Sequence, residues 1–127
     1  MPTRRQEKVA RVIREVVSDA IANHLSDPRI TGFVSVTRVD VMADMRSADV
    51  YLSIFASNES AKDKTFAAVT HARTRIQSFL AQALESKFCP VLRFRIDEQF
   101  RKTLDVMRLI DEVAGERQKN EDAEPQE

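Results

Sequence analysis

The chain is poor in the residues that build several common functional sites. Its 127 residues include one cysteine, two glycines and no tryptophan. A single cysteine, Cys89, excludes an internal disulfide and a zinc site built from several thiolates. Two isolated glycines, Gly32 and Gly115, exclude the glycine-rich loops that hold phosphates in P-loop and dinucleotide-binding proteins.

Long apolar runs are absent as well. No segment approaches the ~20 apolar residues of a membrane-spanning helix, and the N-terminus lacks the apolar stretch of a signal peptide. We therefore expect a soluble, cytoplasmic protein with no membrane contact. A chain of this length, 43% hydrophobic, has room for one core.

Charge is balanced overall but unevenly distributed, with 20 basic and 20 acidic residues. Residues 62–102 hold nine bases and four acids, and residues 1–14 hold five bases and one acid. Clustered cations without a catalytic partner suit contact with a phosphate backbone, although an ordinary solvated face also explains them. Residues 116–127 hold five acids and two bases, which predicts a disordered acidic tail.

Apolar spacing predicts the first half of the fold as a helix followed by a hairpin. Thr3 and Gln6 fit a capping box at the helix start, and Asp27-Pro28 ends the helix. Strands are predicted over 33–41 and 48–56. The apolar positions of the first strand change phase, which predicts a bulge near Arg38.

The second half is predicted as a long interrupted helix, a strand and a last helix. The long helix runs from Lys62 to about Lys87, with Ser60 and Asp63 as its cap, and a kink is expected at 71–75. Pro90 begins the third strand. The last helix covers about 98–114 and stops at Gly115.

These elements predict an α+β fold in the order α-β-β-α-α-β-α. Each strand has one apolar and one more polar face, so the simplest packing places the helices on one face of a three-stranded sheet. The other face is then expected to be solvent-exposed. We predict one domain over residues 1–115.

Candidates for catalysis and metal binding are few. His24 and His71 lie far apart and neither has a second ligand four residues away, so both are better interpreted as structural or surface histidines. Cys89 lies in an apolar setting at a strand entrance, which favours a structural thiol. The chain is therefore predicted not to be an enzyme and to need no metal, cofactor or small-molecule substrate.

Several stretches resemble the ribosome-binding factor A family, in the family's order over about residues 4–112. They are Asp27-Pro28-Arg29-Ile30, the strand Gly32–Val39, the strand Ala48–Ser53, and Pro90–Phe94 with Asp97. The resemblance implies a type II KH-like fold. It also implies that a helix–kink–helix with an Ala-x-Gly motif replaces the usual GXXG loop; here Ala72-Arg73-Thr74 stands at that motif, with threonine in place of glycine.

The resemblance further implies a non-enzymatic factor that binds the free small (30S) ribosomal subunit and its 16S rRNA. Such a factor assists late maturation and processing of the rRNA 5′ end, including at low temperature. We expect a monomer. Ala72 and Thr74 are predicted to shape the kink, and nine cations are predicted to contact RNA: Arg4, Arg5, Lys8, Arg29, Arg73, Arg75, Lys87, Arg93 and Arg95.

Two alternatives stay open at this stage. Arg29 could instead have a structural role, which we prefer, bonding Asp27 or the last carbonyls of the first helix. The whole protein could instead be a non-catalytic adaptor that binds another protein through the exposed sheet face.

Overall fold

The computed structural model describes residues 2–84 and 88–123, with the backbone alone at 100, 101, 104 and 116–123. Its elements are helix α1 (Arg4–Asp19) continued by a π-helical turn (Ala20–His24), strands β1 (Phe33–Val41) and β2 (Ser47–Phe55), helices α2 (Glu59–His71) and α3 (Arg73–Leu84), strand β3 (Val91–Ile96) and helix α4 (Glu98–Ala123). The predicted α+β class and element order are confirmed. The chain divides into two compact units, Met1–Asp97 and Glu98–Glu127.

Helix α1 begins at the predicted capping box. The Thr3 hydroxyl accepts from the backbone N–H of Gln6 at 3.2 Å, and the Gln6 side chain accepts from the N–H of Thr3 at 2.7 Å. Gln6 also donates to the carbonyl of Val41 at 3.0 Å, which ties the helix start to the end of β1. The capping box therefore fixes both the helix boundary and its position beside the sheet.

The sheet has the order β1-β2-β3, with β1 antiparallel and β3 parallel to the central strand. The predicted bulge is confirmed. Thr37 is the extra residue between the pairs Val36–Leu52 and Arg38–Tyr51. Without the bulge, alternation would turn the second half of β1 outward; with it, the apolar residues on both sides of Thr37 face the core.

The core lies between one face of the sheet and helices α1 to α3. The three strands contribute Val36, Val41, Ala48, Val50, Leu52 and Leu92, and the helices contribute Ile13, Val17, Val69, Ile76 and Leu80. Burying a side chain of this size stabilises the fold by about 1.5–3 kcal/mol. The prediction that these helices share one face of the sheet is confirmed.

Helix α2 starts earlier than predicted. Its cap is Asn58, whose side chain accepts from the N–H of Ala61 at 2.8 Å. The prediction of Ser60 as the cap is wrong, because Asn58 has the extended backbone that a capping residue needs and Ser60 already lies in the helix.

The predicted kink is confirmed as a break at Ala72, whose φ of −82° and ψ of 5° interrupt the helix. Helix α3 resumes at Arg73, so Thr74 lies in its first turn rather than at the break itself.

Gln77 on α3 fixes the entrance to β3. Its amide nitrogen donates to the carbonyl of Pro90 and to the Cys89 sulfur, and its carbonyl accepts from the N–H of Leu92 at 3.1 Å. One side chain thus satisfies a donor and an acceptor of the strand, which sets where β3 lies relative to α3.

Helix α4 continues through Gly115 to Ala123. The predicted stop at Gly115 is therefore wrong. The disordered acidic tail predicted over residues 116–127 stays a prediction, and residues 124–127 lie outside the described part of the chain. A glycine inside a helix costs only about 1 kcal/mol relative to alanine, and strong helix formers follow it here. Along α4, Met107, Ile110 and Val113 are exposed.

We predict that Gln77→Leu lowers the free energy of unfolding by about 1–3 kcal/mol, because it leaves the carbonyl of Pro90 and the N–H of Leu92 without their partner. Urea unfolding measures this change. Gln82→Leu, on the same helix but exposed, is the matched control and should change stability little. Equal effects of the two substitutions would contradict the role given to Gln77.

Candidate nucleic-acid interface

The bend between α2 and α3 presents two cations to solvent. Arg73 and Arg75 are both exposed in the first turn of α3. The guanidinium of Arg75 lies 5.8 Å from the centre of the Phe79 ring. Among the residues that the structure describes, neither arginine is within 4 Å of a carboxylate oxygen. Both charges are therefore available to a phosphate.

The outer face of the sheet, opposite the helices, carries a second group of arginines that are already paired. Asp49 on β2 is 8% exposed, and its Oδ1 lies 2.9 Å from Nε of Arg93 and 3.4 Å from Nε of Arg95. The Oδ1 atom has no partner in hydrogen-bond geometry, so the attraction is mainly coulombic. The expected solvent-exposed character of this face is wrong at its centre, because residues on the neighbouring strands cover Asp49.

Arg38 on β1 completes the charge pattern of the outer face. Its Nε lies 3.2 Å from Oδ2 of Asp40, and its guanidinium stacks 4.1 Å from the centre of the Tyr51 ring. The three arginines of this face are thus matched by two nearby aspartates, and a phosphate would have to compete with them.

Arg29 adopts the structural role left open by the sequence. Its guanidinium bonds both carboxylate oxygens of Asp27, with the shortest contact at 2.7 Å, and its backbone N–H also donates to that carboxylate at 2.9 Å. The side-chain hydrogen bonds from Arg29, followed by the backbone one, lower the pKa of Asp27 from 3.8 to about 2.

The loop that carries Arg29 is held against α2 by a buried hydroxyl. Oγ1 of Thr65 lies 3.1 Å from the carbonyl oxygen of Arg29 and accepts from the N–H of Thr31 at 3.3 Å. The Asp-Pro-Arg segment is therefore a fixed part of the body.

The N-terminal cations form a separate group. Arg4, Arg5 and Lys8 are exposed, and within 2–84 and 88–123 none of them lies within 4 Å of a carboxylate oxygen. Arg5 and Lys8 line a cleft of about 810 Å³ together with Arg46. The predicted contact at Lys87 lies outside the described residues.

Two features were missed by the sequence reasoning. Arg46 reaches the cleft only because the β1–β2 turn folds beside α1, a proximity that no local pattern reveals. Phe33 and Phe55, opposite each other across the hairpin, are 64% and 46% exposed.

The residues weighed for chemistry have structural contacts. Cys89 is half-buried beside Gln77, and His24 lies 3.1 Å from Asp19 and stacks on Phe79 at 5.1 Å. No group of three metal-binding side chains exists within the described ranges. In those ranges no helix is long and apolar enough to cross a bilayer.

Comparison with known proteins shows which family has this sequence. The sequence model of the family "Ribosome-binding factor A" matches residues 5–110. The chain belongs to the ribosome-binding factor A family. A relative from Thermomicrobium roseum, named ribosome-binding factor A, is 36% identical over 97% of this chain and 94% of its own.

Solved structures agree on the fold. The crystal structure of ribosome-binding factor A from Thermus thermophilus has a TM-score of 0.61 at 22% identity, covering 72% of this chain and 93% of its own. A homology model of the Thermus thermophilus factor, fitted into the cryo-EM map of a 30S complex with that factor, has a TM-score of 0.53 at 25% identity, covering 66% and 86%. These likenesses are consistent with the KH-like fold that the resemblance implied.

We predict that Arg29→Gln raises the titration midpoint of the Asp27 carboxyl from about 2 toward its ordinary value of 3.8. Because folding lowers this pKa, the pair stabilises the fold above pH 3.8 and loses that contribution as pH falls toward 2. NMR carboxyl shifts measured against pH report the midpoint. Arg11→Gln, which removes a distant charge, should leave it unchanged; a midpoint still near 2 in Arg29→Gln would contradict the assignment.

Proposed function

We propose that this protein is a non-enzymatic assembly factor that binds the free small (30S) ribosomal subunit through its 16S rRNA. Membership in the ribosome-binding factor A family supports the ribosomal partner. The Thermus thermophilus factor, a relative of this chain, forms a complex with the 30S subunit, which supports the same partner here.

The observation that carries the proposal is the pair of exposed cations at the bend. Arg73 and Arg75 both extend from the first turn of α3 without nearby carboxylates in the described chain. Half or more of protein–nucleic acid hydrogen bonds go to the backbone, mostly from such side chains. The bend holds both charges on a rigid backbone, so less backbone freedom is lost on binding than with a flexible loop.

Binding of this kind needs no bond-making group. A rigid surface that fits one local conformer of the rRNA raises the population of that conformer by its differential affinity. We propose that the protein assists late subunit maturation and processing of the rRNA 5′ end in this way, including at low temperature. It would act as a monomer in the cytoplasm.

The predicted RNA contacts fall into two groups, according to whether the cation already has a carboxylate partner. Arg73, Arg75, Arg4, Arg5 and Lys8 reach a phosphate directly. Three further predicted contacts must first exchange a carboxylate partner, and we expect them to contribute less: Arg29, Arg93 and Arg95.

Co-sedimentation with purified 30S subunits at rising salt tests the mode of binding. Each phosphate contact releases condensed counterions, so we expect the association constant to fall steeply with salt. Full binding that is insensitive to salt would contradict binding through phosphates.

The double variant Arg73→Glu/Arg75→Glu tests the site. We expect it to weaken binding to 30S subunits at least tenfold and to reduce the salt slope by about two, one for each lost phosphate contact. Arg11→Glu/Lys64→Glu changes the net charge equally at exposed positions outside the proposed contacts. If both double variants bind alike, the bend is not the site; urea unfolding confirms that each one folds.

A second candidate function rests on the exposed pair Phe33 and Phe55 at the end of the hairpin. Exposed aromatic side chains are common in protein–protein interfaces, so an adaptor that binds another protein through this face is the alternative. Nuclease treatment of the purified complex separates the two. A partner that stays bound after the RNA is digested would favour the adaptor.

A further inference from the structure

The cleft beside the start of α1 has the form of a small-ligand site. Its volume of about 810 Å³ lies within the range of sites for small molecules and cofactors. A single compact group fits this volume.

Positive charge dominates the rim. Arg5 and Lys8 lie three residues apart on one face of α1, and Arg46 approaches from the β1–β2 turn. Among the described residues that line the cleft, Asp44 is the one acid; its side chain accepts from the backbone N–H of Arg46 at 3.0 Å. The charge balance favours an anionic occupant.

The apolar part of the cleft lining includes an aromatic ring. Val9, Val12 and Leu84 are half-buried in its lining. Phe88, 75% exposed, also lines it. An exposed ring beside aliphatic side chains suits a flat apolar group, and each nucleic-acid base has such a face.

The turn that supplies Arg46 is held in a costly conformation. Met45 has a φ of 62°, in the left-handed region that residues other than glycine rarely adopt. Its N–H donates to the carbonyl of Met42 at 2.9 Å, and its side chain packs against the core. The turn therefore holds the backbone of Arg46 in place at the rim before any ligand binds.

We propose that this cleft binds one unstacked nucleotide of single-stranded RNA, with its base against Phe88 and its phosphates at Arg5, Lys8 and Arg46. The inference rests on the proposed RNA-binding function but concerns a different surface from the bend. A mixed lining of this kind recognises a phosphate and a base together, whereas cations alone recognise only the backbone.

The test compares two fluorescein-labelled probes bound by the full chain: hexaadenylate, and an abasic oligonucleotide of equal length and charge. Fluorescence anisotropy gives the affinities. We expect hexaadenylate to bind about tenfold more tightly, because stacking adds to the phosphate contacts. Equal affinities would overturn the proposal.

Substitutions at two exposed phenylalanines test where the base binds. Phe88→Leu should abolish the preference for hexaadenylate while leaving the abasic probe unaffected. Phe33→Leu, at another exposed phenylalanine, is the matched control and should preserve the preference. Equal effects of the two variants would overturn the assignment.

NMR of the unmodified protein tests whether the cleft itself is occupied. The methyl resonances of Val12 and Leu84 should shift as adenosine monophosphate is added; absence of a shift would contradict the site.

Charge variants and competitors test the rim. Lys8→Glu should weaken both probes several-fold, and Arg11→Glu on the same helix but outside the cleft lining should weaken them less. Displacement of hexaadenylate by hexaglutamate at similar concentration would show that an acidic peptide fits equally well, which contradicts base recognition. Measuring the binding of Phe88→Leu to 30S subunits separates the cleft proposal from the proposed function. If the variant loses its preference for hexaadenylate but still binds the subunits, the proposed function remains supported.

Discussion

The apolar face of the central strand β2 is the constraint on which the structure depends. Ala48, Val50 and Leu52 are completely buried on it, and helices α1 to α3 pack on the same side of the sheet. Helices α2 and α3 are adjacent in the chain, so both can cover this side only if the chain changes direction between them. The break at Ala72 provides that change and leaves the next residues, from Arg73, at the surface.

The surfaces of the protein differ in whether their arginines already have a carboxylate partner, rather than in how much positive charge they carry. Arg93 and Arg95 share the carboxylate of Asp49, which is almost buried. Moving either arginine to a phosphate would leave that buried carboxylate less compensated, which is costly. Arg73 and Arg75 carry no such cost within the described chain, so the same residue type has different binding capacity on the two surfaces.

The features predicted correctly from sequence are local ones. The Thr3–Gln6 capping box and the bulge at Thr37 depend on residues a few positions apart, so spacing alone reveals them. Helix ends are harder to predict, because several neighbouring residues can cap: the cap of α2 is Asn58 and not Ser60. Gly115 did not stop α4, since a glycine penalty of about 1 kcal/mol is small beside the propensity of its neighbours.

The features that could not be predicted depend on pairing between distant segments. The pairing of Asp49 with Arg93 requires the parallel register of β2 and β3, which alternation within each strand does not specify. The cleft near Arg46 likewise requires the β1–β2 turn to lie beside α1 and the end of α3. Such sites can be predicted only when the strand register and the crossover connection are known, although the residue types themselves can be read from the sequence.

The central claim is that Arg73 and Arg75, the exposed cations at the bend, contact ribosomal RNA. Ultraviolet crosslinking of the protein to immature small subunits, followed by mass spectrometry of the crosslinked peptides, tests it most directly. The account predicts RNA-crosslinked peptides from the first turn of α3. Crosslinks confined to the outer face of the sheet, around Phe33 and Phe55, would contradict it.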